Sequence, residues 1–305
     1  MQNGYSREEI VAGLCASQAH VPPKYLYDEL GSQLFELITR LPEYYPTRIE
    51  SALMARHAED IRDAVGPGAA LVDLGAGNCR KARALMPVLA PTRYVAVDTS
   101  AEFLDHALEA LRCEFPGIAM HAVAADLAQP MDFSALLDGS RRVFFFPGSS
   151  IGNLDPDEAA ALLSRVHDQS TNGGLLIGVD LVKEAKPLRA AYNDGLGITA
   201  AFNLNLLNHL NALLHADFRL ADWHHRAIYD ERRGRVEMHL DARDDVLVTW
   251  PGGRRRFRAG ESIHTENSYK YRLGTFQAML ADAGFHDIRA WTDERHWFAV
   301  CYGSA

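Results

Sequence analysis

Residues 71–81 read LVDLGAGNCRK, and the reading of the whole chain turns on them. Leu71–Leu74 is a short, mostly apolar run of the kind that forms a parallel strand buried on both faces. Gly75 and Gly77 follow at once, and a helix-competent segment runs from Lys81 to Leu89. Strand, glycine turn and helix in this order is the nucleotide-binding layout of a doubly wound α/β fold. The glycines let a ligand approach backbone that a side chain would block. A lone G-x-G is weak, so its neighbours decide. A dinucleotide fingerprint needs a third glycine at position 80, where this chain has Arg80, and the helix start is therefore not cleared for a pyrophosphate. The next apolar run, Tyr94–Val97, ends in Asp98. An acid at the second strand tip, about 20 residues on, accepts two hydrogen bonds from a ribose diol. Ribose binding without a pyrophosphate site predicts S-adenosylmethionine rather than a nicotinamide dinucleotide. The competing reading is a glycine turn of another α/β enzyme, with Asp98 as a helix cap.

Outward from this stretch, apolar runs alternate with helical segments as far as residue 182. Strands are predicted at 71–74, 94–98, 119–124, 142–147 and 174–180, and helices at 50–65, 80–89, 101–113 and 156–168. The alternation predicts right-handed crossovers and a parallel sheet with helices on both faces. Ligand groups in such sheets collect beyond the C-terminal strand ends. There this chain places Gly75 and Gly77, then Asp98, then Asp126 in AVAADLAQP, whose carboxylate suits an adenine amino group. PGSSIGNL, residues 147–154, follows the fourth strand, and its Asn153 offers a zwitterion both donor and acceptor atoms. Each residue alone is ordinary turn chemistry; their shared placement at strand ends is the argument.

After Val182 the alternation stops. Residues 187–215 read as one or two helices, whose stripe of Leu206, Leu207, Leu210, Leu213 and Leu214 is punctuated, and bent, by Asn203, Asn205, Asn208 and Asn211. Residues 222–270 read as antiparallel strands. A helix at 275–284 and a closing hairpin (287–293 and 296–303) return the chain to the sheet. At the N-terminus residues 1–20 read as weakly helical, starting at Ser6, and Pro22-Pro23 ends that segment. Tyr25, Tyr27, Tyr44 and Tyr45 then form a dense set of phenols, which either fill a groove of an N-terminal cap or form a lid over the active site.

The formal charge of −9 argues against a broad nucleic-acid footprint, and Arg254–Arg256 reads as a solvated turn. Four cysteines without C-x-x-C spacing predict reduced thiols in the cytoplasm, with Cys79 simply a small residue in the glycine loop. Adjacent His224 and His225 point to opposite faces of a strand, which speaks against a metal. No apolar run reaches membrane-spanning length and no signal peptide is evident.

Seven segments carry a resemblance to a known family: KYLYDELGSQLFELITRLPEYYPTR (24–48), LVDLGAGNCRK (71–81), FFFPGSSIGNL (144–154), GVDLVKE (178–184), AYNDGLGITAAFNLN (191–205), RVEMHL (235–240) and HTENSYKY (264–271). Through them the chain resembles the histidine Nα-methyltransferases of ergothioneine biosynthesis over nearly its full length. The resemblance implies an α/β architecture: a Rossmann-like class I methyltransferase sheet (48–182 and 271–305) with a second α+β substrate-binding domain (1–47 and 183–270). It implies S-adenosylmethionine held by Tyr27, Gly75, Lys81, Asp98, Asp126 and Gly148, without a metal. It implies that Tyr44 and Asn153 hold the histidine α-amino group, and that Asn153 and Tyr192 hold the carboxylate. Met238, Glu266 and Ser268 would hold the imidazole. Tyr44 and Asn153 would also orient the amine for reaction, and the faces of Tyr27, Tyr44 and Tyr45 would favour a growing methylammonium. The implied reaction is methylation up to the trimethylated betaine, hercynine, by a monomer whose partner is the small-molecule substrate L-histidine. The chain departs from the family pattern in its GAGNC loop, in Leu127 after Asp126 and in Pro147 before Gly148. Alternatives are a thiolated histidine (ovothiol-type) or another imidazole or indole amino acid as acceptor, or a non-catalytic S-adenosylmethionine-binding regulatory protein. Intact Asn153, Tyr192 and Glu266 argue against the last.

Overall fold

A computed structural model describes residues 5–99, 101–137 and 139–305. The chain divides into two compact units, Met1–Tyr45 with Lys183–Ser268, and Pro46–Val182 with Tyr269–Ala305. The breaks follow Tyr45, Val182 and Ser268, against expected breaks after residues 47, 182 and 270.

The larger unit is built on seven strands: β2 (Ala70–Leu74), β3 (Arg93–Asp98), β4 (Ala119–Ala124), β5 (Arg142–Phe146), β6 (Gly174–Asp180), β12 (His286–Thr292) and β13 (Phe298–Ser304). Their spatial order is β12-β13-β6-β5-β2-β3-β4. The five strands from β2 to β6 run parallel; β13 is antiparallel to β6, and β12 to β13. Every residue of β2, β5 and β6 is buried, because helices cover both faces and a strand so placed reads as an unbroken apolar run. Leu71, Val143 and Phe145 pack on one face with α3 (Tyr45–Arg56), α4 (Ala58–Val65), α5 (Arg80–Leu89) and α6 (Ala101–Glu114). Val72, Leu74, Phe144 and Phe146 pack on the other with α7 (Pro156–Gln169) and α10 (Leu273–Asp282). The strand order reverses direction between β2 and β5, so the loops after these neighbouring strands open together at the switch point. The single helix expected at 50–65 is two, interrupted at His57 (φ −107°, ψ 22°), whose ring lies 3.3 Å from Asp60 in the first turn of α4.

The smaller unit contains α1 (Arg7–Cys15), β1 (Ala19–His20), a 3₁₀ turn (Pro23–Leu26), α2 (Glu29–Ile38), α8 (Ala185–Ala191) and α9 (Ile198–Leu214). It also holds β7 (Trp223–Asp230), β8 (Arg235–Ala242), β9 (Val246–Trp250), β10 (Gly253–Phe257) and most of β11 (Ser262–Tyr269). The strands do not form one antiparallel array. Among the described residues β9 and β10 pair only with each other, and the remaining sheet has the order β1-β11-β8-β7. Its edge strand comes from the N-terminal segment and runs parallel to β11, Ala19 opposite Ile263.

Two sequence expectations are corrected here. The asparagines leave α9 one continuous helix: Asn205 donates to Asp28 (2.7 Å), Asn208 to Asn205 on the same helix (3.3 Å), and Asn211 bonds Phe218 at both backbone atoms (2.8 Å each). The basic run 254–256 lies in β10 and is no solvated turn. Arg255 donates to the carbonyls of Leu14 and Ala16, pairs with Glu261 at 2.5 Å and lies over the Phe257 ring.

Candidate active site

In the larger unit the glycine loop leaves β2 with Gly75 at φ +69° and Gly77 at φ +51°, and a Cβ on either would meet nothing within 4 Å. The backbone is open on that side, as close approach of a ligand requires. Asp98, at the end of β3, folds the loop: its Oδ2 accepts the Gly77 N–H at 2.9 Å, and its Oδ1 the Thr99 N–H at 2.7 Å. Cys79 takes the left-handed conformation (φ 56°) just before α5 and is buried, and burial pushes its thiol up to about 12. It is a packing residue and an inert one. Asp126 follows β4 and turns its own loop, Oδ1 accepting the Ala128 N–H at 2.9 Å.

Lys81, in the first turn of α5, reaches the loop after β5. Its ammonium is 2.6 Å from Glu50 Oε2, and a Cβ on Gly148 would stand 3.0 Å from it. Glu50 Oε1 accepts the Gly148 N–H at 2.7 Å. Asp73, buried within β2, accepts from the Tyr94 hydroxyl at 2.8 Å. Burial pushes its carboxyl up to about 7, moderated by the Tyr94 hydrogen bond and by Lys81, with Asp98 and Glu50 acting against ionisation. Three carboxylates thus act on one another around a single lysine. An anionic pyrophosphate does not suit that field; a cofactor bearing cationic groups does. With the open cradle at Gly75 and Gly77, these residues fit S-adenosylmethionine.

Asn153 closes a 3₁₀ turn, Ser150–Asn153, also in the larger unit. The turn is fixed from two sides. Ser149, left-handed at φ 59°, accepts the Asp180 N–H through Oγ at 2.9 Å. Gly152 packs so closely that a Cβ would lie 2.8 Å from the Tyr269 carbonyl. Asp180 itself is paired with Lys270 at 2.9 Å, both side chains buried.

The smaller unit brings together most of the other predicted residues. Phe35 packs edge-on to Tyr27 (5.5 Å between ring centres) and Tyr44 (6.0 Å), and Tyr44 packs against Tyr192 (6.4 Å). Tyr192 donates its hydroxyl hydrogen to Ser268 Oγ at 2.6 Å. Glu266 and Ser268 are both buried although they follow His264 and Thr265 in one strand. Thr265 and Glu266 are buried in succession, and His264 Nε2 lies 3.0 Å from Asn267 Oδ1. Met238 is buried in β8, its carbonyl accepting from Thr265 Oγ1. The four tyrosines of the N-terminal segment separate by role. Tyr25 is a core post, wholly buried, donating to Glu9 at 2.6 Å, and Tyr45 is engaged by Lys183, which lies over its ring and donates to its hydroxyl. Tyr27 packs against Phe202 as well as Phe35, and Tyr44 against Phe35 and Tyr192.

Sequence reasoning missed Glu50, Asp73 and the Lys270–Asp180 pair, and it weighed His225 only as a metal ligand. His225 Nε2 donates to the Tyr192 carbonyl (2.9 Å), and its Nδ1 accepts from Asn203 (3.0 Å), which also donates to the His239 carbonyl. Burial lowers its pKa, against the opposing hydrogen bond to Tyr192, and so favours the neutral ring that this pattern needs. His224 faces the other way, 3.5 Å from Asp241. Among the described residues no three His, Cys, Asp or Glu side chains converge as a metal site would require.

The family model described as "Histidine-specific methyltransferase, SAM-dependent" matches residues 6–305. The chain is 39% identical to the Histidine N-alpha-methyltransferase of Mycobacterium tuberculosis, over 96% of this chain and 93% of that protein. It is 40% identical to the protein of that name in Mycolicibacterium smegmatis, over 94% and 91%. It is 30% identical to Ergothioneine biosynthesis protein 1 of Neurospora crassa, over 89% of this chain but 32% of that longer protein. By that family match and these identities, the chain belongs to the histidine-specific, S-adenosylmethionine-dependent methyltransferases.

Proposed function

We propose that the protein methylates the α-amino nitrogen of L-histidine, up to the trimethylated betaine hercynine, as the first step of ergothioneine biosynthesis. The observation that carries the substrate is the buried polar group Tyr192–Ser268 with Glu266 beside it in the same strand. A neutral imidazole presents one N–H and one lone pair. Glu266 accepts the N–H, and Ser268, polarised by the hydrogen it receives from Tyr192, donates to the lone pair. Met238 packs against the ring. A ligand lacking those nitrogens leaves a buried carboxylate unmatched, and sites of that kind discriminate by as much as about 10⁴–10⁵.

Gly75, Lys81, Asp98, Asp126, Gly148 and Tyr27 are assigned to the cofactor. S-adenosylmethionine, when bound, supplies a methyl group on a cationic sulfur, open to in-line attack by a lone pair. The chain's own residues need form no covalent bond. Tyr44 and Asn153 hold the amine, and Asn153 and Tyr192 hold the carboxylate; such positioning supplies roughly 7–11 kcal/mol of a barrier. An α-amino group titrates near about 8 in peptides, so the site must take the neutral amine or release its proton. Among the described residues no histidine directly follows any of the parallel strands β2 to β6. Tyr44 and Asn153 orient the amine, and the proton leaves to water. Tyr27 and Tyr44 favour each successive methylammonium by about 0.5–2 kcal/mol through their ring faces; Tyr45, engaged by Lys183, does not. The same reading places the enzyme in the cytoplasm, consistent with four free cysteines, as a monomer acting without metal, nucleic acid or membrane.

The test is mass spectrometry of products from purified protein, S-adenosylmethionine and L-histidine, with fragmentation to locate the methyl groups. Three methyls on the α-nitrogen is the expected result. Ring methylation would move the protein to ovothiol-type chemistry, and no methylation with S-adenosylmethionine bound would refute histidine as acceptor.

A further inference from the structure

Glu50 lies in α3, 1% exposed, and its two carboxylate oxygens are spent on two of the positions assigned to the cofactor: the Gly148 N–H and the Lys81 ammonium. The fold makes room for it at the cost of a strand residue. Gly178 sits inside β6, where a Cβ would stand 1.9 Å from Glu50 Oε1 and 3.0 Å from its Cδ. An interior strand glycine weakens a sheet and marks a close approach. Here what approaches is the carboxylate. A glycine also stands opposite: Gly148 is at φ +83°, which side chains rarely adopt, and a Cβ there would meet the Lys81 ammonium at 3.0 Å. Leu53 and Met54, on the same helix as Glu50, sit in the apolar cluster on that face of the sheet. Packing alone would therefore be served by an apolar side chain at position 50, and removing a carboxylate from water is costly. The charge has another use.

We propose that Glu50 is a positioning residue of the methyl-donor site, which fixes the Gly148 loop and offsets the Lys81 charge, so that the site prefers a cationic sulfonium to the neutral thioether product. The proposal rests on the reading that Lys81 and Gly148 line the cofactor. Glu50→Gln keeps an oxygen for the Gly148 N–H and removes the charge. Lys81→Met removes the cation and leaves the carboxylate.

The experiment is isothermal titration calorimetry of S-adenosylmethionine and S-adenosylhomocysteine against wild type, Glu50→Gln, Lys81→Met and the double variant. The two ligands differ in charge only at sulfur, so the ratio of their affinities reads the local charge and is unmoved by a merely structural change. In Glu50→Gln the methionine form weakens about tenfold and the homocysteine form by less than about threefold; in Lys81→Met the ratio moves the opposite way. The double variant returns it toward the wild-type value. Equal weakening of both ligands in Glu50→Gln, or no weakening of either, overturns the proposal. If Lys81→Met leaves both affinities at wild-type level, the cofactor assignment of Lys81 itself fails. Should Glu50→Gln not fold, Lys81→Met carries the test, since the Lys81 side chain is 23% exposed.

Discussion

Replacing Lys270 by methionine removes one half of a buried ion pair without changing the shape of the stem. The Lys270 ammonium is 2.9 Å from Asp180 Oδ2, with side chains 1% and 0% exposed. Around it the Tyr271 N–H bonds to the Asp180 carbonyl (3.0 Å) and the Val182 N–H to the Tyr271 carbonyl (2.9 Å). The lost attraction is the smaller part of the effect; the larger is a carboxylate left in the interior without its countercharge. Breaking such a pair from one side costs about 3–5 kcal/mol. At roughly 2–4 °C per kcal/mol for a unit of this size, the larger unit melts roughly 6–20 °C lower. The stranded Asp180 answers by holding a proton that the unfolded chain releases above about pH 4, so the deficit is smaller at pH 5 than at pH 8. Asp180→Asn combined with Lys270→Met removes the charge and recovers at least half of the loss. Scanning calorimetry at the two pH values, supported by urea titration, reads all three effects. A loss below about 1 kcal/mol, or a double variant no better than Lys270→Met, would refute the view that uncompensated charge dominates there.

Glu266→Ala is expected to lower the kcat/KM preference for histidine over phenylalanine or tryptophan by at least about tenfold; an unchanged preference removes Glu266 from the imidazole site. Asp73, held at about 7 by burial, keeps its proton in the folded state over a range where the unfolded chain has lost it. Its contribution to stability is therefore full below about pH 4 and is lost as pH rises to about 7. Asp73→Asn removes that slope, so its stability relative to wild type is higher at pH 8 than at pH 5 in denaturant titrations, and equal values at both pH settings would contradict the assignment. Iodoacetamide on the native protein is expected to modify exposed Cys15 and Cys113 and to spare Cys79 and Cys301, both buried thiols pushed up to about 12. Mass mapping of the labelled peptides checks this, and early labelling of Cys79 would contradict its inert role.

The parallel sheet was legible because burial on both faces writes each strand as an unbroken apolar run, and because glycine and acid at strand ends are local signals. Val72 and Phe144 announce themselves without any knowledge of their partners. What stayed hidden depends on residues far apart in the chain. Asn203 and Asn205 look like helix breakers until His225, His239 and Asp28 are in place to receive them. Arg255 looks solvated until the carbonyls of Leu14 and Ala16 arrive. The two-residue strand Ala19–His20 has no periodicity to detect and exists only as a partner of β11. Period-two reasoning alone would expose one of Thr265 and Glu266, and nothing in HTENSYKY marks that both are buried in succession. For Glu50 a signal was present but indirect: a glycine inside the strand GVD, whose missing side chain is the imprint of the carboxylate.

The parallel pairing of residue 19 with residue 263 sets a timetable for biogenesis. During synthesis the edge strand emerges first and its neighbour much later, while the five parallel strands β2 to β6 of the larger sheet are made in between. β1 therefore waits, unpaired, until most of the chain has left the ribosome, and closes one of the longest loops in the molecule when β11 arrives. Nascent chains halted before residue 262 should accordingly leave β1 open to protease and to chaperones. Release of the full chain should then complete the smaller unit in one late step.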